Sequence, residues 1–238
     1  MSVTASPVPS AALPVVRAAI SVYFFILGYM FATWASRLPA IKEKLQLSDG
    51  ELGTVLLGMP IGSLLMMLLA GWLTARFGSR IVVVLAAVGY CCVVPVLGLL
   101  PSPWMLAVVL SLAGATGNLI NIAANDQAVA LERLYGRAIM SSFHALFSVG
   151  GMVGAALGGF IHKQSVSLFA HFAGMGLIGV ALALFFARYL LAAHTDYDSS
   201  QPIFVRPDRT LVGLGLIGLC VMLGEGAMAD WSSIYLSG

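Results

Sequence analysis

The sequence predicts an all-α membrane protein, and its composition and its pattern of apolar residues carry that prediction. Of its 238 residues, 60% are hydrophobic and only 9% are charged, which is more apolar surface than a soluble core of this size can hide. The apolar residues fall into stretches that each match a hydrocarbon core of roughly 30 Å, which takes about 20 helical residues. In lipid the backbone must satisfy its own hydrogen bonds, so we expect each stretch to be a helix. The predicted spans are 18–36, 52–75, 80–100, 104–128, 138–161, 166–190 and 211–236.

The segments around these spans predict the domain organisation. Residues 1–14 are rich in Ser, Pro and Ala, which predicts a disordered tail. The first span is long and six others follow it, so we expect it to remain uncleaved and not to act as a signal peptide. A bundle of six helices over 15–190 is then followed by a polar linker, 191–210, and by a seventh helix within 211–238.

Two local signals mark where helices begin and bend. Ser48 followed by Glu51 is a capping box that predicts the start of the second helix after an outer loop, 37–51. Pro60 and Pro95 lie inside apolar spans and predict bends, because proline cannot donate the backbone hydrogen bond of a helix.

The loop charges predict that the N-terminus lies in the cytoplasm. With that orientation the inner segments hold eight of the twelve Lys and Arg residues, and the outer loops hold Arg37, Lys42, Lys44 and Lys163. An excess of cations on the inner side is typical of membrane proteins. We therefore expect a multi-pass protein of the cell inner membrane.

The segment between the second and third spans carries the clearest motif. Residues 71–80, which include Gly71, Arg76, Gly78 and Arg80, resemble the G-x-L-a-D-R-x-G-R-[KR] signature of the major facilitator superfamily. Gly71 is expected to allow close packing of the helix end, and Gly78 to allow a tight turn. The chain departs from the signature at Ala75, where the family has an acid that helps to latch its two halves.

The resemblance implies that this segment is an inner gate. Because Ala75 leaves Arg76 without its usual acidic neighbour, we expect Arg76 or Arg80 to pair with Asp126 or Glu132.

Other segments are similar to a bacterial branch of the superfamily near the fucose-permease-like sugar transporters. They are 34–39, 117–127, 132–133, 141–148 and 225–231. The resemblance implies the six-helix N-terminal bundle of a major-facilitator fold, built from two inverted three-helix repeats, plus one further transmembrane helix. It also implies a partner for this bundle, either a missing C-terminal half or a second chain, because the substrate is held between two halves.

Polar residues inside the spans are the candidates for a substrate cavity. Asn118, Asn121 and Asn125 lie on one face of the fourth helix, where they either line an aqueous cavity or bond to neighbouring helices. His144, on the fifth span, is either a packing residue or a functional one.

The first span carries a similar stripe, which is either a cavity wall or an aromatic belt with a snorkelling cation. Its members are Tyr23, Met30, Trp34 and Arg37.

The last span and the fifth span add two further predictions. Glu225 is a carboxylate near the middle of the last span and Asp230 lies about one turn further out, so both are candidates for proton coupling. The alternative is a structural hydrogen bond for Glu225 and a place at the outer interface for Asp230. The fifth span carries glycines at 150, 154 and 158, with small residues beside them at 151, 155 and 159; both rows predict close helix contact.

These features predict a secondary active transporter that moves a small polar solute, sugar-like or an organic acid, by alternating access with proton coupling. The alternatives are proton-coupled drug efflux and a seven-helix receptor-like protein. A retinal pigment would need a lysine in the last helix, and the lysines are Lys42, Lys44 and Lys163. No nucleotide loop, metal-spaced cluster or nucleophile motif occurs, so we expect no enzyme activity, no cofactor, no metal and no nucleic acid partner.

Overall fold

The computed structural model describes residues 12–192 and 209–237, and within these ranges the regular structure is helical. The helices are α1 Leu13–Ala35, α2 Leu38–Leu45, α3 Asp49–Leu56, α4 Gly58–Phe77, α5 Ser79–Leu97, α6 Pro103–Tyr135, α7 Met140–Lys163, α8 Leu168–Ala187 and α9 Arg209–Ser237. Six spans are long and apolar enough to cross a membrane when α3 and α4 are taken together as one. The seventh predicted span lies within α9, which contains a shorter apolar stretch, Gly215–Met228. The prediction of an all-α membrane protein is confirmed.

The second span is divided at Leu57, as its proline predicts. Pro60 lies in the first turn of α4 and cannot donate to the Leu56 carbonyl, so the hydrogen-bond ladder breaks between α3 and α4. The predicted capping box is present: the Glu51 N–H donates to Ser48 Oγ at 3.3 Å, and the Ser48 N–H donates to Glu51 Oε2 at 2.9 Å.

The predicted outer loop 37–51 contains a short helix, α2, that the sequence analysis missed. Leu38 and Ile41 are buried, while Lys42 and Glu43 on the same helix are more exposed, so α2 is a short amphipathic helix. It ends at Gln46, whose φ of 53° is the left-handed conformation that closes many helices. Eight residues are too few to stand out beside spans of about 20.

The packing of the helices follows an inverted repeat. The most extensive contacts join α1 to α7, α4 to α6, and α5 to both α6 and α8. In such a repeat, the first, second and third spans correspond to the fourth, fifth and sixth. A contact between the first and fifth spans then has a counterpart between the fourth and second spans. Those two contacts are α1 with α7 and α6 with α4, which agrees with two inverted triplets.

Glycines allow these close contacts. A Cβ atom at Gly150 or Gly154 of α7 would strike the backbone carbonyl of Phe25 or Tyr29 of α1. A Cβ atom at Gly62 of α4 would strike the Ser111 carbonyl of α6 in the same way. Such approach of backbones is the means by which helices associate in lipid, where burial of apolar surface gives little net drive.

Hydrogen bonds from arginine and lysine side chains join the helices at each of the two ends of the bundle. At the end here called the outer end, Arg37 reaches the Val166 carbonyl at 3.0 Å and Lys44 reaches the Gly98 carbonyl at 2.9 Å. At the opposite end, here called the inner end, Arg17 donates to Ser142 Oγ at 2.9 Å, and Arg80 Nε donates to the Ala187 carbonyl at 3.2 Å. The names follow the orientation that the sequence predicts.

Candidate substrate cavity

A cavity of about 760 Å³ is lined by residues of α1, α4, α5, α6 and α7. Gly226 of α9 also reaches it, so the seventh helix borders the same space. Small residues on the facing helices, such as Gly117 and Gly151, keep the space open. A volume of this size fits a small organic molecule.

The polar part of the cavity wall comes from α4, α6 and α7. Asn118 and Asn121 of α6 and His144 of α7 line it, together with Ser63 and Ser148. The Asn118 amide donates to the Ser63 carbonyl at 2.6 Å, so this residue also links α6 to α4. Both interpretations of the asparagine stripe therefore apply to Asn118, which lines the cavity and also makes a structural hydrogen bond.

Asn125 lies one turn beyond the part of α6 that lines the cavity. Its amide donates to the Asn121 carbonyl at 2.8 Å and to Asn121 Oδ1 at 2.5 Å. Asn125 thus holds the Asn121 side chain and is not among the residues of the cavity wall.

Aromatic rings make up much of the remaining wall. Phe24 and Phe31 of α1, Tyr90 of α5 and Phe147 of α7 line the cavity. His144 packs edge-on against Phe24, with 5.4 Å between the ring centroids. The cavity therefore combines amide and imidazole groups with flat apolar faces.

The predicted stripe on α1 faces into the bundle and not into this cavity. Tyr23, Met30 and Trp34 are almost fully buried and belong to the hydrophobic core. The Tyr23 hydroxyl donates to the Ala183 carbonyl of α8 at 2.7 Å. Among the described residues, the cavity wall on α1 comes instead from Phe24, Phe31 and their neighbours.

Arg37 also lies away from the cavity, at the start of α2. It is only 4% exposed, and its Nη2 donates to the Val166 carbonyl in the loop between α7 and α8. Burial lowers the pKa of the Arg37 guanidinium from its ordinary value, because a low-dielectric surrounding disfavours the charged form.

The expected ion pair at the inner gate is wrong for the described part of the chain. Glu132 Oε2 accepts from the backbone N–H groups of Ile139 and Met140, at 2.7 and 2.8 Å, where a carboxylate favours the start of α7. Arg76 is exposed, with its guanidinium 5.9 Å from the Phe77 ring centroid. The ion pair found among the described residues joins Lys42 to Asp49.

The other two members of the predicted gate have different neighbours as well. Arg80 donates to the carbonyl of Ala187 at the last turn of α8, where the helix dipole favours a cation. Asp126 lies beside Ser79 and is acted on by the charge of Arg133. Glu132 thus caps the start of α7, and Asp126 faces Ser79 and Arg133, in place of the two arginines.

The two glycines of the signature behave differently from each other. Gly78 joins α4 to α5 with a φ of 80° and a ψ of 142°, a backbone conformation that glycine alone adopts readily, so the predicted turn is confirmed. At Gly71 a Cβ atom would meet nothing within 4 Å in the part of the chain that is described. The expectation that Gly71 permits close packing is therefore wrong for these residues.

Two polar residues were not singled out from the sequence, one in the cavity wall and one at the inner end of the bundle. Ser63 reaches the cavity from α4, and its hydroxyl also donates to the Gly114 carbonyl at 3.0 Å. Gln127 is buried at the inner end, where its amide donates to Ser79 Oγ at 2.9 Å and accepts from the Leu191 N–H at 3.0 Å. Both are polar residues in apolar spans, which is a signal that the sequence does contain.

The two candidates for proton coupling lie on α9, but the side chains of Glu225 and Asp230 are outside the described residues. Their assignment therefore stays a prediction.

Comparisons with known proteins identify the family of the chain. Residues 19–236 match the family model of the Major Facilitator Superfamily. An uncharacterized MFS-type transporter of Yersinia pestis is 39% identical over 90% of this chain and 56% of its own length. An uncharacterized transporter of Sinorhizobium fredii is 33% identical over 90% of this chain and 57% of its own length. The membrane protein MosC of Rhizobium meliloti is 30% identical over 92% of this chain and 53% of its own length.

The chain thus spans about half the length of the curated relatives it matches. Two of these relatives carry transporter names. The family match covers nearly all of the described helices and agrees with their inverted-repeat packing. The chain therefore belongs to the major facilitator superfamily.

Proposed function

We propose that this chain forms the N-terminal half of a secondary active transporter that moves a small polar solute, sugar-like or an organic acid, by alternating access. The cavity that holds Asn118, Asn121 and His144 is the observation that carries this proposal. Membership of the superfamily and the transporter names of two relatives support it. Alternating access requires two halves that move against each other, so the partner of this half is a C-terminal half or a second chain.

The chemistry of the wall favours a neutral, hydroxyl-rich solute over an organic acid. Side-chain amides both donate and accept hydrogen bonds, as sugar hydroxyls do. The described residues that line the cavity include no lysine or arginine, so a carboxylate would find little to pair with. The rings of Phe31 and Phe147, which line the cavity, offer apolar surface to the apolar face of a sugar.

A second candidate function is proton-coupled efflux of amphipathic, drug-like compounds. The same aromatic residues support it, because Phe24, Phe31, Tyr90 and Phe147 form a broad apolar wall. Ligand pockets of this kind bind largely through apolar contact, with a few polar groups that set the orientation.

A ligand screen on the purified full-length protein separates these candidates. We expect sugars to raise the melting temperature more than organic acids or cationic drugs, because a ligand that binds the native state stabilises it. The reverse order, with cationic drugs stabilising the protein and sugars without effect, favours the efflux function.

A matched pair of variants then tests the site itself. Asn121→Ala removes a wall amide and should weaken solute binding by about tenfold, which corresponds to about 1.4 kcal/mol. Asn125→Ala removes the same side chain one turn away, outside the wall, and should have a smaller effect. Equal binding by Asn121→Ala and the wild type in a calorimetric titration would count against a cavity role for this residue.

We also propose that the transporter is proton-coupled through Glu225, with Asp230 as the second candidate, and that it lies in the cell inner membrane with a cytoplasmic N-terminus. The sequence position of Glu225 near the middle of the last span supports the first part, and the distribution of Lys and Arg supports the second.

A further inference from the structure

Arg37 holds a buried positive charge that no acid of the described chain neutralises. Arg37 is 4% exposed, and one nitrogen of its guanidinium, Nη2, donates to the Val166 carbonyl. The other two nitrogens, Nε and Nη1, are buried and have no hydrogen-bond partner. The ion pair found among the described residues, Lys42 with Asp49, does not involve Arg37. Burying an unpaired charge destabilises the folded state, so we expect a further group to compensate the charge of Arg37.

His171 lies beside Arg37 and has the same deficiency. It is 3% exposed, and neither of its ring nitrogens has a hydrogen-bond partner. Arg37 Nη2 donates to the carbonyl of Val166, five residues before His171 in the loop that leads into α8, so both side chains lie at the start of α8. A neutral imidazole carries one N–H donor, so the pair presents at least three unpaired donors.

The helix that carries His171 adds to the positive character of this region. α8 begins at Leu168, and His171 lies in its first turn, where the helix dipole favours negative charge. Ser167 caps this end by accepting from the Ala170 N–H at 3.2 Å. The dipole, the guanidinium and the imidazole N–H all favour an acceptor with negative charge at this place.

The cluster is separate from the central cavity and is tightly enclosed. A Cβ atom at Gly158 of α7 would touch Ser36 Oγ and would lie 3.7 Å from His171 Cε1. The imidazole therefore lies in the packed junction of α1, α7 and α8, and neither Arg37 nor His171 lines the cavity described above. Only a small ligand fits such a junction.

We propose that Arg37 and His171 form a binding site for a small monovalent inorganic anion, with chloride as the nearest physiological candidate. The anion accepts from Arg37 Nε, Arg37 Nη1 and one His171 ring N–H, and it neutralises the buried guanidinium. A water molecule satisfies a donor but leaves the charge in place. The anion thereby fixes the outer ends of α1 and α8 to each other and to α2.

The test is chloride binding by the purified protein in detergent, with potassium chloride replaced stepwise by potassium gluconate at constant ionic strength. We expect a saturable rise of the melting temperature with chloride, and one radioactive chloride ion bound per chain at equilibrium. Arg37→Gln, which keeps a side chain of similar length without the charge, should bind chloride at least tenfold more weakly.

Two further variants make the test specific. Arg188→Gln removes an exposed cation at the inner end, where the guanidinium stacks on Phe185 and Tyr189, and it should bind chloride as the wild type does. His171→Phe keeps a ring of similar size without an N–H donor and should weaken binding severalfold. If Arg37→Gln fails to fold, the wild type and His171→Phe still decide the question.

The proposal is overturned if chloride leaves the melting temperature of the wild type unchanged and no chloride ion binds. It is also overturned if Arg37→Gln binds chloride as tightly as the wild type. Neither result touches the solute cavity, because Asn121 and the Arg37 cluster are separate sites and solute binding is measured independently.

Discussion

At the scale of single residues, α1 shows why the sequence does not reveal which side of a membrane helix faces a cavity. Because α1 is apolar on all sides, its sequence does not distinguish residues that line a cavity from residues buried in the core. The stripe of Tyr23, Met30 and Trp34 fits either position. Only the positions of the neighbouring helices decide that this stripe is buried and that Phe24 and Phe31 line the cavity. Asn118 and His144 could be predicted, because a polar group in an apolar span needs a reason to be there.

The position of Tyr23 leads to the first prediction. Tyr23→Phe removes the hydroxyl that donates to the Ala183 carbonyl and leaves that buried carbonyl without this partner. We expect the free energy of unfolding to fall by about 1 kcal/mol, which is a typical net value for such a hydrogen bond. Thermal unfolding in detergent measures the loss, and solute affinity should stay the same.

Tyr189→Phe is the matched control, because the Tyr189 hydroxyl makes no hydrogen bond within the described residues. It should leave stability close to that of the wild type. If Tyr23→Phe weakens solute binding while its stability is unchanged, Tyr23 acts on the solute and our description of it as a packing residue fails.

At the scale of elements, the two rows of small residues on α7 have different roles. The row of Gly150, Gly154 and Gly158 lies against α1, as the sequence predicts for close helix contact. At Gly151 and Gly159 of the second row, a Cβ atom would meet nothing within 4 Å among the described residues. The expectation of close contact is thus confirmed for the first row and is wrong for these glycines of the second.

Adjacent glycines therefore give the second prediction. In Gly150→Ala the new methyl group strikes the Phe25 carbonyl, so α1 and α7 must separate, and we expect a loss of about 1–3 kcal/mol, as for other overpacked contacts. In Gly151→Ala the methyl group has space, and the gain in helix propensity should raise stability by about 0.5–1 kcal/mol. Unfolding of both variants in the same detergent measures the difference in sign.

Two equally destabilised variants would show that the contact of α1 with α7 is not the cause. A stabilised Gly150→Ala would contradict the close approach of the two backbones directly.

The elements also show what the sequence can and cannot predict. The spans, the capping box at Ser48, the break near Pro60 and the turn at Gly78 each depend on local chemistry, and each could be predicted. The partners of Arg76, Arg80 and Glu132 depend on how helix ends meet in space. Glu132 accepts hydrogen bonds from the backbone N–H groups at the start of α7 and does not pair with an arginine. The spacing of residues in the sequence does not predict this contact.

At the scale of the whole molecule, the helix ends fall into two groups, and the charges predict which group faces the cytoplasm. The outer end holds Arg37, Lys42, Lys44 and Lys163, against eight Lys and Arg residues in the inner segments. In a cysteine-free background, cysteines at positions 102 and 163 should react with an impermeant thiol reagent added outside the cell. A cysteine at position 199 should react only after the membrane is permeabilised. The opposite pattern would reverse the orientation of the entire bundle.

The last prediction concerns how the proposed transporter is driven. Glu225 lies near the middle of the last span, next to Gly226, which borders the cavity. A carboxylate that is removed from water binds a proton more readily, so it can load from one side and release to the other as the cavity changes access. Glu225→Gln keeps the shape of the side chain and removes its titration. In proteoliposomes with a proton gradient, this variant should lose accumulation of the solute and retain counterflow exchange.

The matched control is Asp230→Asn, which changes a carboxylate about one turn nearer the outer end and should retain more accumulation if Glu225 is the principal carrier. If Glu225→Gln accumulates the solute as well as the wild type does, the carboxylate has a structural role and the protons move through another residue.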